Sequence, residues 1–351
     1  MSAHGEFVFV GCYTGESGGE GEGIALSRRD PDSGALTRLG VAARTPSPSF
    51  LAQHPVLPVL YAVNELDAGT VSAFSVAPDG SLSELAVRQT GGQHPCHVAV
   101  SSDGRHLLAA NYSSGSVSVH PLDRDGAPGE RTDLLVLDGH GPVADRQSGP
   151  RAHMVAPDPN GPDVLICDLG SDRVWRSRLD PISGRLAPTS AAVAAAPGTG
   201  PRHLQRAAGG VLLIVGELAA NLTWYRPGGA DGALRLAGAV AASTIEGENL
   251  PSELAAGPDR RFLYVGNRGP NTVSAFSWDG EKAELIAEVP TGGEWPRHLA
   301  LFSSHLYVAN ERSHTVTVFR IDPDTGVPTL QGEPIGVPSP TCVLRWNPRH
   351  G

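Results

Sequence analysis

One line recurs throughout this chain. An apolar run ends in a polar residue, a short polar loop follows, and an alternating segment comes next. It reads LYAVNELDAGTVSAFSV at 60–76, LLAANYSSGSVSVHPL at 107–122 and LICDLGSDRVWRSRL at 165–179. It returns as LIVGELAANLTWYRP at 213–227, LYVGNRGPNTVSAFSW at 263–278 and LYVANERSHTVTVFRI at 306–321. A divergent seventh copy, FVFVGCYTG…GIALSRRD, occupies 7–30. The polar residue closing each run falls at Asn64, Asn111, Asp168, Glu217, Asn267 and Asn310, at intervals of 47, 57, 49, 50 and 43 residues. Cys12 precedes Asn64 by another 52. A repeat near fifty residues that holds several short strands is the signature of a propeller.

Each unit carries two further strands. An earlier one begins after a proline, at Pro48, Pro95, Pro201, Pro251, Pro296 and Pro340, and 150–153 is the same feature with one extra residue. A later one resembles 35–44 or 81–90 and is introduced by an SG or DG turn. The reading is an all-β fold, a seven-bladed β-propeller with four antiparallel strands per blade. The chain starts on a second strand and ends on a lone first strand at 342–346, so both termini close the last blade and remove its open edge. With no linker or shift in composition, residues 1–351 are expected to form a single domain. The 43 glycines and 30 prolines fit many turns between short strands. The longest unpatterned segment, 138–149, sits just before the His153 strand and is expected at a rim or lid.

A net charge of −10 argues against nucleic acid as a partner. No eighteen-residue apolar run argues for a membrane. Cys12, Cys96, Cys167 and Cys342 are far apart and lack CxxC spacing, so they read as small buried thiols, and a cytoplasmic protein is the expectation.

In a four-stranded meander the start of the first strand and the end of the second share one face. The Pro-x-His tripeptides and the polar strand ends therefore converge on one mouth of the central channel. His97, His153, Arg202, His203, Glu217, Glu253, Arg268, Arg297, His298 and Glu311 are expected there. The stretch 200–217 shows the geometry in small: a Gly209-Gly210 turn folds Arg202 and His203 back beside Glu217. Asn at a strand end commonly forms a turn with its own backbone, which accounts for Asn64, Asn111, Asn267 and Asn310 without any function. Some of the histidines serve loop backbones in the same way. Glu217 stands out because it takes the place that other blades give to Asn or Asp, and Arg268 stands where others have Glu, Tyr or Leu.

GPRH before an apolar strand, the GEL and NEL ends, LYVGNRGPNTVSAF, DPDSGALTRLG and ICDLGSDRV together resemble the lactonase family of seven-bladed propellers. That family includes propeller-type 6-phosphogluconolactonases and fungal carboxy-cis,cis-muconate cyclases. The resemblance runs from FVFVGCYTG to the final strand. It implies a catalytic set of a His opening the third inner strand, an Arg opening the fourth, a Glu at the end of its partner, and an Arg in the fifth blade. Here these are His153, Arg202, Glu217 and Arg268. His97, His203, Glu253, Arg297 and His298 are then expected to bind substrate. Two departures stand: Gly216-Glu217 where many relatives have Asn-Glu, and Cys12 where they often have Thr.

Opening a lactone needs an activated water, a stabilised oxyanion and a proton for the leaving alkoxide. His153 or Glu217 would be the base, and His153 is favoured because two arginines lower the basicity of Glu217. The expected function, with the substrate class that the resemblance implies, is therefore a metal-independent lactone hydrolase without cofactor, acting on 6-phosphogluconolactone or a similar small sugar lactone. A metal-dependent sugar lactonase is the alternative, as is a propeller that only binds a ligand or protein. The arginines count against a bound cation, and the scattered tryptophans count against an aromatic binding rim.

Overall fold

The computed structural model describes residues 6–228, 233–257 and 259–347. Residues 1–5 and 348–351, the ends of the span expected to form one unit, lie outside them. Its strands form seven four-stranded antiparallel sheets, each running from an inner strand outward. Blade 1 comprises Phe50–Gln53, Val59–Asn64, Thr70–Val76 and Leu82–Gln89. Blade 2 comprises Pro95–Val100, His106–Asn111, Ser116–Pro121 and Asp133–Val136. Blade 3 is Ala152–Pro157, Asp163–Asp168, Arg173–Arg178 and Ser190–Ala194; blade 4 is Pro201–Arg206, Leu212–Gly216, Asn221–Pro227 and Leu234–Ala241. Blade 5 is Leu250–Ala256, Phe262–Arg268, Thr272–Trp278 and Ala283–Pro290; blade 6 is Pro296–Phe302, His305–Asn310, Thr315–Ile321 and Pro328–Gly336. Blade 7 takes its inner strand, Pro340–Arg345, from the C-terminal end, and Glu6–Cys12, Ile24–Arg29 and Leu36–Ala43 from the N-terminal end. Closure by both termini is as the repeat predicts.

Position across a blade explains the sequence pattern. Second strands are packed on both faces and read as unbroken apolar runs: every residue of Val59–Asn64, His106–Asn111 and His305–Asn310 is buried. Fourth strands lie at the rim, with one face in water, and alternate, as in Leu82–Gln89. The apolar core is divided into seven clusters, one between each pair of neighbouring blades. Phe9, Leu60, Phe74 and Trp346 fill the junction between blades 7 and 1, where the ring closes. The four cysteines are all buried and free.

The only helical pieces among the described residues are single turns at Gly15–Ser17, Ala208–Gly210 and Ala144–Gln147. The Ala-rich segment near Ala191 is a strand, Ser190–Ala194. Gly209 and Gly210, with φ of 68° and 76°, supply the left-handed backbone for the tight turn in blade 4.

The strand-end asparagines are structural, but they do not cap their own backbone. Asn64 Nδ2 donates to Thr45 Oγ1 and the Pro46 carbonyl, while Thr70 and Ser72 donate to its Oδ1. Asn267 Nδ2 donates likewise to Thr272 and Ser274. These side chains tie the second strand to the third, and in blade 1 to the loop ahead of the first. Asp168 comes nearer the expectation, since its Oδ1 accepts the Gly170 and Ser171 N–H groups.

Candidate active site

Strand register corrects two alignments read from spacing. Gly216 faces Pro201, just as Asn111 faces Pro95, Asn267 faces Pro251 and Asn310 faces Pro296. Gly216 therefore holds the Asn position, and Glu217 is the next residue in line. Its backbone N–H donates to the Gly200 carbonyl, and Tyr13, Glu65, Tyr112, Leu169 and Glu311 make the same bond in their blades. Arg268, paired with Leu250, completes this upper ring. Glu217 looked like a replacement for Asn because Gly216 interrupts the Asn pattern.

The second correction concerns His153. A bulge interrupts the inner strands between Pro95 and His97, Ala152 and Met154, Pro201 and His203, and Pro296 and His298. The extra residue in each is Cys96, His153, Arg202 and Arg297. His153 is thus the counterpart of Arg202 and Arg297, while Met154 occupies the position of His97 and His203. A bulge re-aims the side chain it inserts, and here it turns these residues toward the mouth.

Glu217 is the centre of the arrangement. Its carboxylate is 2% exposed and has three guanidinium partners. Arg268 Nη2 donates to Oε2 at 2.7 Å, Arg146 donates to Oε1, and Arg202 Nε lies 3.0 Å from Oε2 without hydrogen-bond alignment. Burial pushes the Glu217 carboxyl up, but the three cations outweigh it and bring it from its ordinary 4.5 to about 2. Burial, together with the neighbouring Arg268 charge, pulls Arg202 down to about 10, against the attraction of Glu217. Arg202 also donates to the Ser252 carbonyl, and Arg268 Nε to the Leu250 carbonyl at 2.8 Å, so both are held from behind.

His153 sits beside this group, 6% exposed, with its ring 5.6 Å from Tyr112 and 5.1 Å from His203. Its Nδ1 has no hydrogen-bond partner. Burial, then Arg202, His203, Arg297 and Arg268, hold it well below the usual histidine range, so it is neutral at pH 7. A cavity of about 10 Å³, room for one water molecule, is lined by His153, Arg202, Arg297, Ser49, Cys96 and Thr341, among others. A depression of about 840 Å³ lies elsewhere, around Pro157, Ile182 and Arg185, and touches none of these groups.

The remaining expected residues separate into two sets. His203 and His298 converge on Glu253, at 2.9 and 3.5 Å, while His97 lies against Phe50 with ring centroids 4.2 Å apart. These form a buried floor, in which burial raises the Glu253 carboxyl and lowers His298 to about 4. His203 therefore belongs with Glu253, and of the hairpin pair only Arg202 reaches Glu217. Arg297 stands apart at the mouth, hydrogen-bonded to the Tyr13 hydroxyl and 3.7 Å from both Glu65 and Glu311.

Arg146 was not singled out in the sequence. It lies in the 138–149 insertion, on the helical turn Ala144–Gln147, and also donates to the Tyr112 hydroxyl at 3.3 Å. Its only signal is an insertion at the rim that contains a cation. Among the described residues, no group of three or more His, Cys, Asp or Glu is arranged to hold a metal ion. No helix among them is long and apolar enough to cross a membrane.

Residues 7–345 match the model of the lactonase family, described as a 7-bladed beta-propeller, and the chain belongs to that family. It is 30% identical to a 6-phosphogluconolactonase of Bacillus subtilis, over 95% of this chain and 97% of that one. A putative 6-phosphogluconolactonase structure from Bacteroides fragilis superposes with a TM-score of 0.89 at 28% identity, covering 98% and 99% of the two chains. A periplasmic gluconolactonase from Pseudomonas aeruginosa superposes at 0.88 with 30% identity, covering 97% and 98%.

Proposed function

We propose that this chain hydrolyses a sugar lactone of the 6-phosphogluconolactone kind, using water and no metal, at the mouth centred on Glu217. The observation that carries the reading is one buried carboxylate shared by three arginines beside a neutral histidine with an unpartnered Nδ1. The names of the relatives support the substrate class.

In this reading His153 accepts a proton as water attacks the lactone carbonyl, and the electron pair moves onto the carbonyl oxygen. Arg202 and Arg268 stabilise that oxyanion. The tetrahedral intermediate collapses, the ring C–O bond breaks, and the imidazolium returns its proton to the leaving alkoxide, giving the hydroxy acid. Glu217 is too acidic and too fully engaged to act as the base. Its role is to fix the guanidinium groups, since its carboxylate is engaged by arginines. The cationic surroundings also oppose a bound metal ion.

A panel of phosphorylated and unphosphorylated sugar lactones, assayed for acid release with and without chelator, tests the reading. Turnover that survives chelation is expected. Activity lost to chelator and restored by calcium or zinc would instead establish the metal-dependent alternative.

A further inference from the structure

Three guanidinium groups share one carboxylate at this mouth, and they are not held alike. Arg202 and Arg268 are 3% and 7% exposed and are anchored to backbone carbonyls as well as paired with Glu217. Arg146 is 34% exposed, comes from the inserted segment, and binds through Nη2 to Glu217 Oε1 and the Tyr112 hydroxyl. Its backbone is nonetheless fixed. The neighbouring Gln147 is fully buried, its Nε2 donating at 2.8 Å to both the Leu169 carbonyl and Asp172 Oδ1, while its Oε1 accepts the Val143 N–H. A rigid base thus carries the most exposed of the three guanidinium groups.

The charges at the mouth are unevenly distributed. Arg146, Arg202 and Arg268 face a single Glu217, whereas Glu65 and Glu311 pair with Arg297 and Glu253 with its histidines. The surplus around Glu217 suits a ligand carrying close to two negative charges, as a phosphate monoester does at neutral pH. Guanidinium is also the side chain whose fork matches phosphate oxygens. We propose that Arg146 recognises the substrate's phosphate, moving from Glu217 onto it, so that the inserted segment sets preference for phosphorylated over neutral lactones. This rests on the lactonase reading above.

The test combines binding and kinetics on the whole chain, wild type against Arg146→Gln and Arg146→Lys, with melting curves to verify folding. Inorganic phosphate, titrated calorimetrically, should bind Arg146→Gln about 10- to 100-fold more weakly than wild type, with part of the loss recovered in Arg146→Lys. KM for a phosphorylated lactone should rise by a similar factor, while KM for its unphosphorylated counterpart moves by less than about threefold. Equal rises in both KM values, equal phosphate affinity in the variants, or no phosphate binding by the wild type would overturn the proposal. A wild type that opens neither lactone would remove the functional reading, and the phosphate titration would still decide the role of Arg146.

Discussion

Titration at the mouth follows from what surrounds each residue. His153 must be unprotonated to accept a proton, and its pKa is depressed, so kcat/KM should lose activity only as pH falls through a value well below 6.5. On the alkaline side Arg202 must stay charged, and its pKa is lowered to about 10, so a second decline is expected as pH rises through that value. The profile should be flat between them. A limb centred near 2 that vanishes in Glu217→Gln would instead make the carboxylate the base. Stability should carry the mark of Glu217 in the opposite range. Its folded pKa is below the ordinary 4.5, so its contribution is present above that value and is lost as pH falls through about 2. Acid melting of Glu217→Gln should therefore be less steep than that of the wild type, and identical slopes would contradict the ion-pair assignment.

Strands and their junctions show what the sequence could and could not convey. The repeats, the proline entries and the count of blades were legible because burial on two faces leaves unbroken apolar runs, and rim strands alternate. The bulges at Cys96, His153, Arg202 and Arg297 were not legible, since one added residue changes no pattern and only register reveals it. The Glu217 mouth itself was legible in Arg202, Glu217 and Arg268, whereas Arg146 came from an insertion with no repeat to compare it with. One device recurs across junctions: buried Tyr61, Tyr264 and Tyr307 each donate a hydroxyl hydrogen bond to a turn glycine of the next blade, at Gly126, Gly326 and Gly34. These glycines have φ of 82°, 73° and 74°, the left-handed backbone of a tight turn. Tyr264→Phe should lower stability by about 1 kcal/mol, read by denaturant melting, and leave turnover unchanged. A loss of activity in that variant would mean that junctions outside the mouth tune the site.

At the scale of the whole molecule, the ring is held closed by Pro340–Arg345 pairing with Glu6–Cys12. Ending the chain at Ser339 would remove that inner strand, open the cluster that contains Cys342 and Trp346, and take away the Val343 N–H that donates to His298. The truncated chain should melt well below the full one or fail to fold. Cooperative unfolding at an unchanged midpoint would show that blade 7 does not depend on this closure.

The ring matters because it gathers residues from blades 3, 4 and 5 around Glu217, and the most direct test is turnover of a sugar lactone by wild type and Glu217→Gln. The account predicts a loss of about a hundredfold or more in kcat while circular dichroism shows the same β-sheet fold, because guanidinium groups that lose their shared carboxylate no longer meet the oxyanion in place. A folded Glu217→Gln variant that turns over within about twofold of wild type would contradict it.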